Sequence, residues 1–177
     1  MTKHLIISRP EPGEYPEDFK QYIGLVPGND LLNYFDNQSF SVTSLASTLS
    51  EDQLLYRYAE GKWSIKDVFC HVIDCERIYD YRALCIARGD KTQLPGFEEN
   101  DYAKTANADS RPISDIIAEY KAVRAASLEL FKSFDETMLL RSGIANNSNR
   151  SVRAIGYSLA GHELHHLNVI KERYLKK

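Results

Sequence analysis

The chain has 177 residues, 43% of them hydrophobic and 27% charged, with a formal net charge of −3. That length supports one domain with a sizeable core and is short for two. The near-balanced charge and the scattered lysines and arginines exclude a strong basic field aimed at nucleic acid or an anionic membrane, and no apolar run approaches a membrane span. Cys70, Cys75 and Cys85 form no C-x-x-C pair. They are expected as reduced thiols, with Cys75 and its neighbours filling core. The first residues lack the long apolar region and cleavage site of a secretory signal, so a cytoplasmic location is expected.

Residues 1–28 hold Pro10, Pro12, Pro16 and Pro27 together with Gly13, Gly24 and Gly28. They read as an irregular lead-in packed on a domain at 29–177. A first helix is predicted from an N-cap at Asn29 or Asp30 to about Ser50, on the spacing of Leu31, Phe35, Val42, Leu45 and Leu49. Its middle, SFSVTS, is poor helix material and a candidate break. Ser50 and Gln53 form a capping box for a short further turn. A second helix opens at Ser64, boxed by Asp67, and runs to Arg88 with Gly89 as its left-handed cap; its stripe is Val68, His71, Cys75, Ile78 and Arg82. Residues 89–111 read as a long polar loop, a length often tied to function.

A third helix begins near Pro112 with Ile113, Ile116, Tyr120, Val123, Ser127, Leu130 and Phe134 on one face. Residues 135–150 read as a second loop. A fourth helix follows Ser151, with Val152, Ile155, Leu159, His162, His166 and Val169 as its stripe. No strand-like alternation of comparable strength appears. Four amphipathic segments of this length predict an all-α four-helix bundle, with antiparallel neighbours or a crossover.

The fourth helix carries HELHH at 162–166, which matches the zinc-protease pattern H-E-x-x-H. An extended zincin needs a glycine break and a third ligand downstream. Here the glycine position holds Val169, and the sixth residue after His166 is Glu172, about 240° around an unbroken helix. The better content is the spacing of His162 and His166, which puts two imidazoles on one face about 6 Å apart along the axis. Both sit where leucine is expected, and buried polar side chains need partners. His71, on the inner stripe of the second helix, is the candidate third ligand. Three imidazoles leave an open position, as in catalytic zinc sites, while a hydrogen-bonded core histidine is the alternative for His71. His165 is expected at the rim or behind the ligands. Cys75, one turn from His71, is a rival ligand. Glu163 is read as a surface glutamate or a residue supporting the site, and His4 carries no role.

The stretches GKWSIKDVFCHVID at 61–74, ERIYDYRALCIARGDKTQLPGFEENDYA at 76–103 and IGYSLAGHELHHLNVIKERY at 155–174 resemble the DinB-like superfamily, also called DinB/YfiT-like metal-dependent hydrolases. The resemblance spans roughly residues 30–175. It implies a four-helix bundle of unusual crossover order, often dimeric. It also implies zinc, nickel or another divalent ion at one histidine of the second helix and an H-x-x-x-H pair on the last. Those positions are His71, His162 and His166. It further implies a small-molecule substrate and either of two activities, hydrolysis or transfer from a low-molecular-weight thiol cosubstrate. A non-catalytic metal-binding or dimerisation bundle is the alternative. The loops at 89–111 and 135–150 are candidate pocket rims, with Arg88, Glu99 and Asn107 as candidate contacts.

Overall fold

The computed structural model describes residues 6–176; His4 lies outside them. Four long helices form the body: α2 (Leu31–Thr48), α4 (Ile65–Ala87), α6 (Ile113–Lys132) and α8 (Val152–Val169). Short helices α1 (Lys20–Leu25), α3 (Glu51–Leu55), α5 (Glu99–Thr105) and α7 (Glu136–Leu140) fill the connections. Strands β1 (Ser142–Ala145) and β2 (Ser148–Ser151) pair as an antiparallel hairpin, Ser142 opposite Ser151. Among the described residues no helix is long and apolar enough to cross a membrane.

Among the long helices the main contacts run α2 to α6, α6 to α4, α4 to α8 and α8 to α2, so α2 and α4, successive long helices, sit on opposite corners. This is the crossover arrangement. Residue pairs Ser64–Asp109, Arg77–Glu119 and Asp80–Ser127 advance together from the start of α4 and the approach to α6, so α4 and α6 run parallel. The N-terminal half of α4 instead shares an apolar cluster with the C-terminal half of α8, which makes that pair antiparallel.

The helix boundaries follow local chemistry. Asp30 accepts from Asn33 N, and Ser64 and Asp67 exchange side-chain and backbone bonds as a capping box. Ser50 and Gln53 do the same for α3, and Ser151 accepts from Ala154 N to start α8. Gly89 takes φ +83° beyond the end of α4, a backbone state open to glycine at little cost. The expected break in α2 is absent. Thr43, Ser47 and Thr48 turn their hydroxyls back onto carbonyls three or four residues earlier, and Val42 and Ala46 bury against the core. Tertiary packing overrides the weak propensity.

Three expected loops carry structure. The lead-in contains α1, which lies across α8. Arg9 donates to the carbonyls of Ile23, Val26 and Gly28, capping the C-terminal end of α1. The segment 89–111 contains α5 and is pinned by Leu94, which exchanges backbone bonds of 3.0 Å with Ile144 and Asn146. The segment 135–150 contains α7 and the hairpin. Its turn residues Asn146 and Asn147 both have positive φ, 49° and 58°, as a tight two-residue hairpin turn requires.

Helix α8 is the central element. From Val152 to Glu163 every residue but Arg153 is buried, so the helix is enclosed on all sides rather than along one stripe. Its small residues make this fit. A Cβ on Gly156 would lie 2.5 Å from Leu31 Cδ2 and 2.8 Å from Phe131 Cε1, and one on Gly161 would lie 1.9 Å from the Tyr22 carbonyl oxygen. Two apolar clusters occupy the two ends of the bundle. Between them lies a polar layer of Glu76, Tyr120, Arg124, Ser127 and Glu163, all buried.

Candidate metal centre

Helix α4 presents His71 from its second turn, and α8 presents His162 and His166 from successive turns of one face. The three rings converge. His162 Nε2 stands 3.2 Å from His71 Nε2 and 3.1 Å from His166 Nε2. His71 and His162 are buried and His166 half-buried. Burial lowers the His71 pKa to about 4 and that of His166 to about 3, the latter also through the neighbouring histidines. His162 is driven well below its usual value by burial, then by His166 and His71. All three rings are therefore neutral near pH 7, the form in which imidazole offers a lone pair.

Neutral nitrogens facing one another at this range repel unless protons or a cation lie between them. A tetrahedral zinc holds nitrogens at about 2.0–2.1 Å, which puts them about 3.3 Å apart. The observed separations match that spacing without rearrangement of the helices. His162 Nδ1, on the far side of its ring, is buried with no hydrogen-bond partner among the described residues. The donor set fits a borderline divalent ion such as zinc or nickel.

Around the imidazoles stand four further groups. Trp63, immediately before the cap of α4, packs on His71 with ring centroids 4.7 Å apart and stacks toward His166 at 6.4 Å and 22°. Tyr22 of α1 sets its ring edge-on to His162 at 5.7 Å and to His165 at 5.5 Å. The close approach of α1 at Gly161 is what brings Tyr22 there, so the lead-in forms one wall of the site. Cys75 Sγ lies 3.7 Å from His71 Nδ1 and 3.6 Å from its Nε2. Near-equal distances put the sulfur beside the ring rather than along the Nε2 lone pair, and burial pushes its thiol far above the usual range. Neutral and misaligned, Cys75 packs against a candidate ligand. Glu99, at the first residue of α5, brings a carboxylate oxygen within 4.8 Å of donor atoms of His71, Cys75 and His162. Burial, then Glu98, raises its pKa.

Other expectations fall differently. His165 is half-buried and lines the cleft outside His166, as a rim residue. Glu163 is neither at the surface nor at the rim. It is fully buried, and its Oε2 accepts from Tyr120 Oη at 2.8 Å and Arg124 Nη2 at 2.7 Å, on the face of α8 turned to α6. Arg88 sits at the far end of α4 against Phe134 and Met138, away from the histidines. Asn107, with φ 52°, lines a cleft of about 470 Å³ beyond Trp63. A second cleft of about 410 Å³ opens directly on His165 and His166. Trp63 and Tyr22 were the residues missed from sequence. Trp63 had a local signal, as the sole tryptophan placed one residue before a helix cap and eight before a candidate ligand.

The sequence model of the DinB superfamily matches residues 37–170. A Geobacillus thermodenitrificans protein named "Putative metal-dependent hydrolase" is 30% identical over 88 residues, which is 50% of this chain and 49% of that one. The chain thus spans about half the length of that relative. "Putative metal-dependent hydrolase OB0413" of Oceanobacillus iheyensis is 27% identical over 127 residues, 71% of this chain and 72% of its own. Among solved structures, YfiT from Bacillus subtilis superposes with a TM-score of 0.70 at 14% identity, covering 92% of this chain and 89% of that one. It is described as a probable metal-dependent hydrolase with an unusual four-helix bundle topology.

Proposed function

The chain belongs to the DinB superfamily, and on that premise we propose that His71, His162 and His166 hold a divalent ion, zinc or nickel, and that the protein is a metal-dependent hydrolase of a small molecule. The observation that carries this reading is the convergence of the neutral His71 and His166 rings on His162, whose Nε2 stands 3.2 and 3.1 Å from theirs, beside a cleft that His166 lines. When bound, the ion supplies Lewis acidity and lowers the pKa of water or a thiol at its open side. The chain's own residues do the rest. Trp63 and Tyr22 wall the imidazoles and fix their rings. Among the described residues Glu99 brings a carboxylate to His71 and His162, placed to accept a proton released beside them. Glu163 and Glu76 take no part, since Arg124 engages both.

Thiol transfer to a small electrophile is the second reading. A cleft of about 410 Å³ beside the histidines has room for a cosubstrate as well as a substrate. Both reactions use the same residues, so one experiment separates them. Protein purified without a histidine tag is offered zinc or nickel, and metal content is measured for wild type, His71→Ala and His162→Ala. The expected result is one ion per wild-type chain and loss in both variants. Loaded protein is then assayed on chromogenic esters, amides and phosphoesters, with and without low-molecular-weight thiols. Turnover without thiol supports the hydrolase, and turnover only with thiol supports the transferase. Equal metal content in wild type and variants would remove both.

A further inference from the structure

The cleft over His165 and His166 has a chemical character of its own. Tyr58, Trp63 and Tyr174 give it an aromatic wall, and Lys62 and Arg173 give it positive charge. The wall is built: Tyr58 and Tyr174 pack edge-to-face with centroids 4.9 Å apart, and Tyr174 Oη donates to the Trp63 carbonyl at 2.8 Å. No aspartate or glutamate lines this cleft, although the chain has 25 acidic residues to 22 basic ones. Among the described residues neither Lys62 nor Arg173 makes an ion pair with a carboxylate, and Arg173 lies over the Tyr58 ring at 5.7 Å. Across Trp63, in the neighbouring cleft, Asp67 and Asp109 are both held by Arg57, at 3.1 and 2.7 Å.

We infer that the cleft binds a small organic anion, its carboxylate or phosphate head held by Lys62 and Arg173 and its apolar body packed against Tyr58, Trp63 and Tyr174, with the opposite end directed at His166. Two cations without acid partners in a concave aromatic site favour an anion by charge, and the guanidinium favours planar or tetrahedral oxyanions by its fork of donors. The aromatic wall supplies area for the apolar part. The direction of the reactive end rests on the metal-site reading above; the charge preference does not.

Trp63 is the only tryptophan, so intrinsic fluorescence reports on this cleft. Benzoate, phenyl phosphate and neutral benzamide are titrated at fixed ionic strength into metal-free and zinc-loaded wild type, and into Lys62→Ala/Arg173→Ala. The anions are expected to bind about tenfold tighter than benzamide in both wild-type forms. That preference should shrink with added salt and disappear in the double variant at unchanged metal content. Equal affinities for anion and amide, or a preference that survives the double variant, would overturn the inference. So would anion binding seen only with zinc, since the anion would then sit on the ion; the histidine site would stand. If wild type takes up no metal yet the charge preference holds and is lost in the double variant, the cleft stands and the metal reading falls.

Discussion

Arg124 Nη2 donates to Glu163 Oε2 at 2.7 Å, and the same guanidinium forks onto Glu76 through Nε at 2.7 Å and Nη2 at 2.9 Å. Glu163 follows His162 in the chain, yet the two side chains serve different parts of the molecule. The histidine faces α4 and the site, and the glutamate faces α6 and locks the middle of the bundle. Desolvated charges in such a layer are held only while all members are present. Arg124→Met is therefore expected to cost about 3–5 kcal/mol, because two buried carboxylates lose their counterion. Urea unfolding should show a lower midpoint with little change in slope. A loss under about 1 kcal/mol would contradict the buried layer.

The same relationship separates this helix from a zinc protease that shares its HELHH pattern. There the glutamate is the general base. Here Glu163→Gln removes charge from a core network. The variant should lose stability, yet keep its metal content and, per folded molecule, its rate. A rate loss of a hundredfold or more in well-folded Glu163→Gln would restore the glutamate to catalysis.

Much of the site was legible because it depends on spacing within single helices. His162 and His166 lie four apart in an apolar stripe, and His71 lies in another. The caps at Asp30, Ser50, Ser64 and Ser151 were equally local. What escaped was non-local. Nothing in the periodicity of α6 marks Arg124 as buried, because its counterions Glu76 and Glu163 come from two other helices. Read alone, each of the three charges looks like a solvated face. The hairpin escaped because its strands are four residues long, and Asn146–Asn147 was its only signal. Helix α1 is six residues long and contains Gly24; its place is set by the gap over Gly161 rather than by its own propensity.

Asp80 provides a pH test of the polar layer. Burial raises its pKa to about 7 against the opposing pull of Ser127. Ser127 Oγ lies 2.6 Å from Glu76 Oε1 and 2.7 Å from Asp80 Oδ2, but a hydroxyl has one proton to give. A protonated Asp80 resolves the conflict by donating to Ser127, which donates to Glu76. The folded state then holds a proton that the unfolded state releases near pH 4, so this group lowers stability as pH rises from about 4 to about 7. In metal-free protein the histidines act in the opposite sense. Their folded values are depressed to about 4 for His71 and about 3 for His166. The unfolded chain takes up their protons first, so stability falls as pH drops below about 6.5. Three imidazoles outweigh one carboxyl below that point. Asp80→Asn should therefore steepen the acid-side loss and gain on wild type by on the order of 1–3 kcal/mol between pH 4 and 8. Parallel stability curves for the two proteins would refute the assignment.

Gly161 tests whether the lead-in belongs to the site. A Cβ there would meet Tyr22 O at 1.9 Å and Tyr22 Cα at 2.9 Å, and backbone cannot swing aside as a side chain can. Gly161→Ala must push α1 off α8 and carry Tyr22 away from His162 and His165. The expected cost is about 1–3 kcal/mol, with faster proteolysis between residues 20 and 25 and weaker metal retention against a chelator. Unchanged cleavage in that segment would mean that α1 does not pack as described.

Glu99 tests the open side of the site. Its carboxylate reaches donor atoms of His71 and His162, while Asp74, the acid nearest in sequence to His71, is drawn toward Arg77 at 3.8 Å. Glu99→Gln keeps the shape and removes the proton acceptor. Metal content should stay near that of wild type, since three imidazoles remain. Turnover should fall by about 10²–10⁴, the usual worth of a positioned general base. Cys75→Ser supplies the contrast, because its thiol is neutral and set beside the His71 ring; its turnover should change little. If Glu99→Gln turns over like wild type while Cys75→Ser fails, the sulfur rather than the carboxylate serves the open position.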